Sequence, residues 1–293
     1  LGVLGADSFL WAVDNLEKDL PDVPTVTVTA DGVLRAPLAT GEITTSMAFD
    51  VLSMGVGSDG TSGFPLVGVY LTGRELRAAA EVDASVTPLM PAAQLYMAGL
   101  EYSFNTHRMF FNRVTDIKLR QNITATADVE IVDAEGNLMP PPADAFDWQE
   151  EIDDDQLYRV VTGMYSAQML GTVKSRSMGL LSLEPKMADG SPVIDFEDCI
   201  LRDVNGNEIK EWYALAAYLQ SFGEEGVPAR YAQPDGRKDV SRSWSPIELV
   251  KNPNWITLEA LLILTAALAL ASLLTRWLMM AKKRRRYGRG KQW

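Results

Sequence analysis

The sequence has almost none of the side chains that build metal centres or disulfides. Its 293 residues include 1 cysteine, Cys199, and 1 histidine, His107. A single cysteine excludes an internal disulfide and a cysteine-based metal cluster. A single histidine cannot build a two-metal centre, and His107 is interpreted as a surface imidazole. The chain also contains no Gly-x-Ser-x-Gly, Walker or Cys-x-x-Cys motif. We therefore expect no cofactor and no hydrolytic activity in this chain alone.

Basic charge is scarce outside the C-terminus. The formal net charge is −12, yet 8 of the 27 Lys and Arg residues lie in the last 18 positions. Without those 8, the remainder holds 19 basic against 39 acidic residues. An acidic body is a poor nucleic-acid binder, so no nucleic-acid partner is expected.

One long apolar run, Ile256 to Ala281, is a membrane-span candidate. As a helix its 26 residues extend ~39 Å, more than the roughly 30 Å of a bilayer core. Trp255 and Trp277 stand where interfacial aromatics are common. Two other interpretations of this run are a buried core helix and a signal peptide. The Lys and Arg cluster that follows argues against the first, and the C-terminal position argues against the second. The positive-inside rule predicts a cytoplasmic C-terminus and an extracytoplasmic body.

The rest of the chain has the pattern of an α+β domain with one mixed β-sheet and flanking helices. Alternating and β-branched residues predict the sheet strands, which are Val26–Thr29, Val67–Leu71, Leu95–Phe104, Val114–Leu119 and Leu157–Thr162. Helical spacing and capping residues predict the helices, which are Asp7–Leu20, Ser46–Leu52, one from Thr72 to about Val82, and Trp212–Phe222. Thr72 and Glu75 form a capping-box pattern at the start of the third helix.

Several of these segments resemble the C-terminal domain of the 5'-nucleotidase family of metallophosphoesterases. Leu71-Thr72-Gly73, followed by Leu76, matches that family's Leu-Thr-Gly-x-x-Leu. Ala30-Asp31-Gly32-Val33-Leu34-Arg35 is similar to its Asn-Gly-Gly-Gly-Ile-Arg, with the arginine kept and the glycines thinned. Leu157-Tyr158-Arg159-Val160-Val161-Thr162 resembles its Tyr-Arg-Val-Ala-Thr strand. The resemblance covers roughly residues 1 to 222.

The resemblance implies four substrate-binding residues. Arg35 would hold a phosphate or another small anion, and Tyr165 would stack on the base. Met54 stands at the position of the family's stacking phenylalanine, and Gly99 at a glycine that lines the nucleoside pocket. The residues themselves leave simpler interpretations open: a surface Arg, a core Met and a bulge Gly. The family aspartate that binds the ribose is absent, since the chain reads Gln168-Met169-Leu170-Gly171-Thr172 there.

The resemblance predicts a domain order and a function. We expect a 5'-nucleotidase C-terminal-like domain over 1–222, a linker over 223–254, a transmembrane helix over 255–281 and a basic cytoplasmic tail over 282–293. The chain would be the nucleotide-recognition domain of a membrane-anchored phosphohydrolase, whose N-terminal domain would bind the divalent metals. The chain would then be a fragment, a mature product or an incomplete gene model. The alternative is a non-catalytic, surface-anchored module with a decayed nucleotide site.

Overall fold

The computed structural model describes residues 1–21, 23–120, 148–176, 181–233 and 236–289. Its two compact units are Leu1–Leu249 and Val250–Trp293. The strands are β1 (Thr25–Ala30), β2 (Leu66–Thr72), β3 (Leu95–Ala98), β4 (Leu100–Asn105), β5 (Val114–Arg120), β6 (Trp148–Glu151), β7 (Leu157–Gly163) and β8 (Lys238–Ser241). The α-helices are α1 (Gly2–Leu16), α2 (Thr45–Val51), α3 (Gly73–Glu81), α4 (Met164–Arg176), α5 (Glu211–Ser221), α6 (Pro246–Val250) and α7 (Trp255–Arg289).

The first sheet has the strand order β2-β7-β1-β3. Its central strands β1 and β7 are parallel, with Val28 opposite Thr162, while β2 and β3 are antiparallel to their neighbours. Because β1 and β7 run in the same direction, the segments that follow them leave the sheet at the same edge.

The predicted strand Leu95–Phe104 is in fact two strands that belong to different sheets. The break is at Gly99, whose φ is +79°. On its N-terminal side β3 pairs with β1, and on its C-terminal side β4 belongs to the second sheet, of order β6-β5-β4-β8. The predicted single sheet is therefore two four-stranded sheets. The other four predicted strands are confirmed, with ends that differ by no more than one residue.

The first sheet is buried on both faces. Val160 packs in a core with α3, α4 and the second sheet, while the next residue, Val161, packs in a core with α1, α2 and α5. Successive side chains of a strand point to opposite faces, so a strand covered on both sides reads as a continuous apolar run. Val160 and Val161 of β7 are therefore both buried, on opposite faces of the sheet.

The capping predictions are confirmed, but the first helix is shifted. The Thr72 hydroxyl accepts a hydrogen bond of 3.3 Å from the Glu75 amide, and the Glu75 carboxylate accepts one of 2.8 Å from the Thr72 amide. α1 starts before the predicted Asp7 and ends at Leu16 rather than Leu20. It ends early because the next residue, Glu17, forms a β-bridge to Asp203.

The segment predicted as a linker, 223–254, is partly folded onto the first unit. β8 pairs in parallel with β4. Arg237 donates two hydrogen bonds of 2.6 and 2.7 Å to the buried Asp7 carboxylate, which also accepts one of 2.8 Å from Tyr231. Asp7 and Arg237 are 230 positions apart, and a local sequence pattern cannot predict a contact over that distance.

The second unit contains the predicted apolar helix. Its 26 residues Trp255–Met280 are long and apolar enough to cross a membrane. α7 continues to Arg289, through most of the predicted basic tail, and residues 290–293 lie outside the described part of the chain.

Candidate functional site

Two of the four predicted site residues follow the parallel strands β1 and β7. Arg35 follows β1 after a 3-10 turn, and Tyr165 is the second residue of α4, which follows β7 directly. Both therefore leave the sheet at its common carboxyl edge. The Arg35 amide donates to the Val51 carbonyl at 2.8 Å, which ties this loop to the end of α2. The Arg35 side chain is exposed and makes no ion pair within the part of the chain that the structure describes.

An aromatic pair stands at this edge. The rings of Tyr165 and Phe64 are nearly parallel, with centroids 6.2 Å apart and an angle of 18° between their planes. Tyr165 is 37% exposed, so the pair is accessible from solvent. Flat, partly exposed aromatic faces of this kind can stack on a planar ligand such as a nucleobase.

Phe64 was not predicted from the sequence, and its ring faces Tyr165 where the Met54 side chain was expected. The Phe64 amide donates to the Met54 carbonyl at 2.8 Å. Its ring covers Gly55, where an added Cβ would lie 2.3 Å from Phe64 Cζ. The Met54 side chain itself packs against the core beneath α2 and α5. The local signals for Phe64 are an aromatic residue just before a strand and the Asp59-Gly60 turn of the short hairpin that pairs Val56 with Ser62 and returns the chain to Met54.

That turn is held by a partly buried charge cluster. The Lys210 ammonium donates to the carboxylates of Asp59 at 2.8 Å and Glu208 at 2.5 Å, and Glu208 also accepts a hydrogen bond from Ser58. The hydrogen bond from Lys210 lowers the pKa of Asp59 to about 2. The charged cluster therefore fixes the loop that carries Phe64 at neutral pH.

A buried carboxyl lies directly below the aromatic pair. The Glu211 amide donates to the Phe64 carbonyl at 3.0 Å. Its Oε1 atom lies 1.5 Å from where a Cβ on Gly163 would stand, so the carboxyl occupies the space that a larger residue at Gly163 would need. Burial raises the pKa of Glu211 to about 8. Its carboxyl is therefore mostly neutral at pH 7 and can donate a hydrogen bond.

Gly99 lies away from these residues. A Cβ there would stand 2.5 Å from the Thr25 carbonyl oxygen, at the amino end of β1. Arg35 and Tyr165 lie beyond the carboxyl end, and a strand of six residues extends roughly 16 Å. The positive φ and the close backbone contact account for this glycine without a ligand.

The spacing of the two rings limits how a planar ligand can bind to them. A base between two rings needs two contacts of about 3.5 Å, or roughly 7 Å between the rings. The pair, with centroids 6.2 Å apart, must therefore open by at least about 1 Å to take a base between its rings, although a ligand can stack on one outer face. Within the described ranges, no group of three or more His, Cys, Asp or Glu residues is placed to hold a metal ion.

Comparison with known proteins identifies relatives of this arrangement. Residues 1–173 match the family model "5'-nucleotidase, C-terminal domain". A search of curated proteins found no match. A solved 5'-nucleotidase precursor from Thermus thermophilus is 21% identical, with a TM-score of 0.50 over 83% of this chain and 35% of its own.

Two further solved structures give lower scores. The NAD nucleotidase of Haemophilus influenzae is 16% identical, with a TM-score of 0.43 over 83% of this chain and 33% of its own. A putative 5'-nucleotidase from Staphylococcus aureus, solved with alpha-ketoglutarate, is 13% identical, with a TM-score of 0.44 over 82% and 36%. The chain thus spans about a third of the length of these proteins.

Proposed function

Because the chain belongs to the 5'-nucleotidase C-terminal domain family, we propose that it is the nucleotide-recognition domain of a membrane-anchored 5'-nucleotidase-like phosphohydrolase. The proposal rests on the Phe64–Tyr165 pair, which lies at the carboxyl edge of the first sheet. Arg35 lies beyond the same edge, after β1. The rings would bind the base, and Arg35 would bind the phosphate or a similar anion. Met54 would support Phe64 from behind rather than touch the ligand. We leave Gly99 out of the proposed ligand contacts.

Hydrolysis would require a second domain outside these 293 residues. In this proposal that domain binds the divalent metals and cleaves the phosphate ester, while this chain selects and orients the substrate. α7 would anchor the assembly, with the acidic body extracytoplasmic and the basic C-terminus cytoplasmic. The chain alone, supplied with divalent metal, should leave AMP intact.

The neutral Glu211 carboxyl is a buried polar group close to the backbone that carries the proposed site. The family aspartate that binds the ribose has no counterpart in the sequence after Tyr165. Glu211 lies below the aromatic pair, through its bond to Phe64 and its contact with Gly163. Because Glu211 is 2% exposed, it can donate a hydrogen bond to a ribose hydroxyl only if the residues above it move aside.

Calorimetry on the full chain in phosphatidylcholine nanodiscs tests the proposal. We expect AMP and adenosine to bind with micromolar to millimolar Kd. Tyr165→Ala and Phe64→Ala should weaken both ligands, because each removes a stacking face that is worth about 1–3 kcal/mol. Arg35→Ala should weaken AMP more than adenosine, since only AMP carries the anion.

The control is Trp244→Ala, which removes an exposed aromatic that stacks on His107 outside the site. It should leave both affinities unchanged.

A second candidate function, a non-catalytic surface module, is favoured by the 6.2 Å ring spacing and by the missing aspartate. Absence of any heat with millimolar AMP, or equal effects of Tyr165→Ala and Trp244→Ala, would support that module instead.

A further inference from the structure

An apolar cavity of about 470 Å³ lies beside the aromatic pair, on the opposite face of the first sheet from Glu211. Val28 and Val160 of β1 and β7 form its floor. Ala79 of α3 and Leu170 of α4 contribute to its walls. The volume lies in the range of roughly 300–1,000 Å³ that is usual for small-molecule sites.

The lining does not suit a phosphate or another charged group. Of the lining residues that the structure describes, none is Asp, Glu, Lys, Arg or His. The hydroxyl of Thr162 donates to the Val28 carbonyl at 2.7 Å, and that of Thr172 donates to the Met169 carbonyl at 2.7 Å. A charged ligand group in this cavity would lose its hydration without compensation. The cavity therefore differs chemically from the site built around Arg35 and Phe64, neither of which lines it.

The cavity reaches the surface through an apolar mouth. Three large apolar residues line the cavity and are also exposed: Tyr165 (37%), Met169 (40%) and Met90 (48%). Leu89, next to Met90, is 75% exposed. Methionine side chains adapt to ligands of irregular shape, and exposed apolar rims mark binding sites. A ligand can therefore place its apolar part inside and keep a polar head in water.

We propose that this cavity binds the hydrocarbon chain of a fatty acid, with the carboxylate outside the mouth. A dry apolar cavity of about 150 Å³ holds one benzene molecule, and this cavity is roughly three times larger. A flexible single chain fills an irregular volume of that size without a polar partner. Each methylene group that enters should tighten binding by about threefold to fourfold.

A photoaffinity experiment tests the proposal on the full chain in phosphatidylcholine nanodiscs. The probe is a sixteen-carbon fatty acid with a diazirine in its chain, and labelled peptides are mapped by mass spectrometry. We expect label on peptides from α3 and α4, and an excess of dodecanoic acid should suppress it. The apolar helix α7 contacts the same lipid and provides an internal reference for labelling.

Two substitutions in α4 give a matched comparison. Leu170→Trp fills the cavity, whereas Gln168→Trp adds the same ring to an exposed position that does not line it. Leu170→Trp should lower labelling of α3 by on the order of tenfold, because it displaces several methylene groups. Gln168→Trp should not change it. Ala79→Leu reduces the cavity from the opposite wall and replaces Leu170→Trp if that variant does not fold.

The results separate a built site from general apolar adsorption. Label confined to α7, or label on α3 and α4 that responds equally to Leu170→Trp and Gln168→Trp, overturns the proposal. Persistence of the label under excess dodecanoic acid overturns it as well. The inference does not depend on nucleotide recognition, because the hydrocarbon chain would lie between α3 and α4, and AMP binding, which shares only Tyr165 with this cavity, is not required for labelling.

Discussion

Glu211 is fully buried, and burial disfavours the ionised form of its carboxyl. Its pKa is raised to about 8 from an ordinary value of 4.5, and burial is the cause. The folded protein therefore keeps a proton that the unfolded chain loses above about pH 4.5. Where the native state binds more protons than the unfolded state, stability falls as pH rises. The contribution of Glu211 to the free energy of unfolding is therefore greatest below about pH 4.5. It falls as the pH rises from there and is lost once the pH passes about 8.

Glu211→Gln should remove this pH dependence. The amide is neutral at every pH, so the variant should gain stability relative to the wild type by up to about 1.4 kcal/mol per pH unit between about pH 4.5 and 8. Denaturant unfolding of both proteins across that range measures the difference. Glu224→Gln, at an exposed position, is the control and should show a constant difference. A constant difference for Glu211→Gln would mean that the buried carboxyl is already ionised.

Single residues also mark the limit of sequence-based prediction of the site. Arg35 and Tyr165 were predicted from short motifs of the family resemblance, which lie just after recognisable strands. Phe64 was not found, because its role depends on a turn that returns the chain to Met54 and on the packing of α4. Glu211 was not found for a similar reason: a carboxylate at a helix start is common, and only the fold shows that this one is buried.

At the level of elements, local patterns predicted the strands and helices but not their division between two sheets. The run Leu95–Phe104 is continuous in hydrophobic pattern, and the break comes from one backbone angle at Gly99. β8 was assigned to a linker, because its four residues Lys238–Ser241 have little apolar content and join a sheet only through their pairing with β4. Long-range pairing of this kind is invisible in a short window of sequence.

Gly99→Ala should therefore disrupt the crossover between the sheets. The change places a Cβ 2.5 Å from the Thr25 carbonyl oxygen and forces a positive φ on an L-residue. Gly206→Ala is a matched control, because Gly206 has φ +84° and nothing within 4 Å of the added Cβ. We expect a loss of about 1 kcal/mol for Gly206→Ala and at least roughly 2–3 kcal/mol more for Gly99→Ala. Thermal and denaturant unfolding measure both, and equal losses would contradict the backbone clash.

Acidic and basic residues lie in different parts of the chain. The body before Arg276 is strongly acidic, and the last 18 positions carry 8 basic residues. Between them lies a helix long and apolar enough to cross a membrane. In our proposal the acidic body faces outward, away from the anionic lipids of the cytoplasmic leaflet, and the basic end lies against them. The single native cysteine allows that orientation to be measured by thiol labelling.

Single-cysteine labelling on cells should show the body outside and the C-terminus inside. The native Cys199 is 8% exposed and burial raises the pKa of its thiol, so it should react slowly with a membrane-impermeant maleimide. Val204→Cys places a thiol at a position that is 73% exposed in the body, and Lys291→Cys places one in the basic tail. We expect Val204→Cys to react on intact cells and Lys291→Cys only after permeabilisation, with the unsubstituted chain as background. The reverse pattern would invert the topology, and reaction of both cysteines on intact cells would show that α7 does not span the membrane.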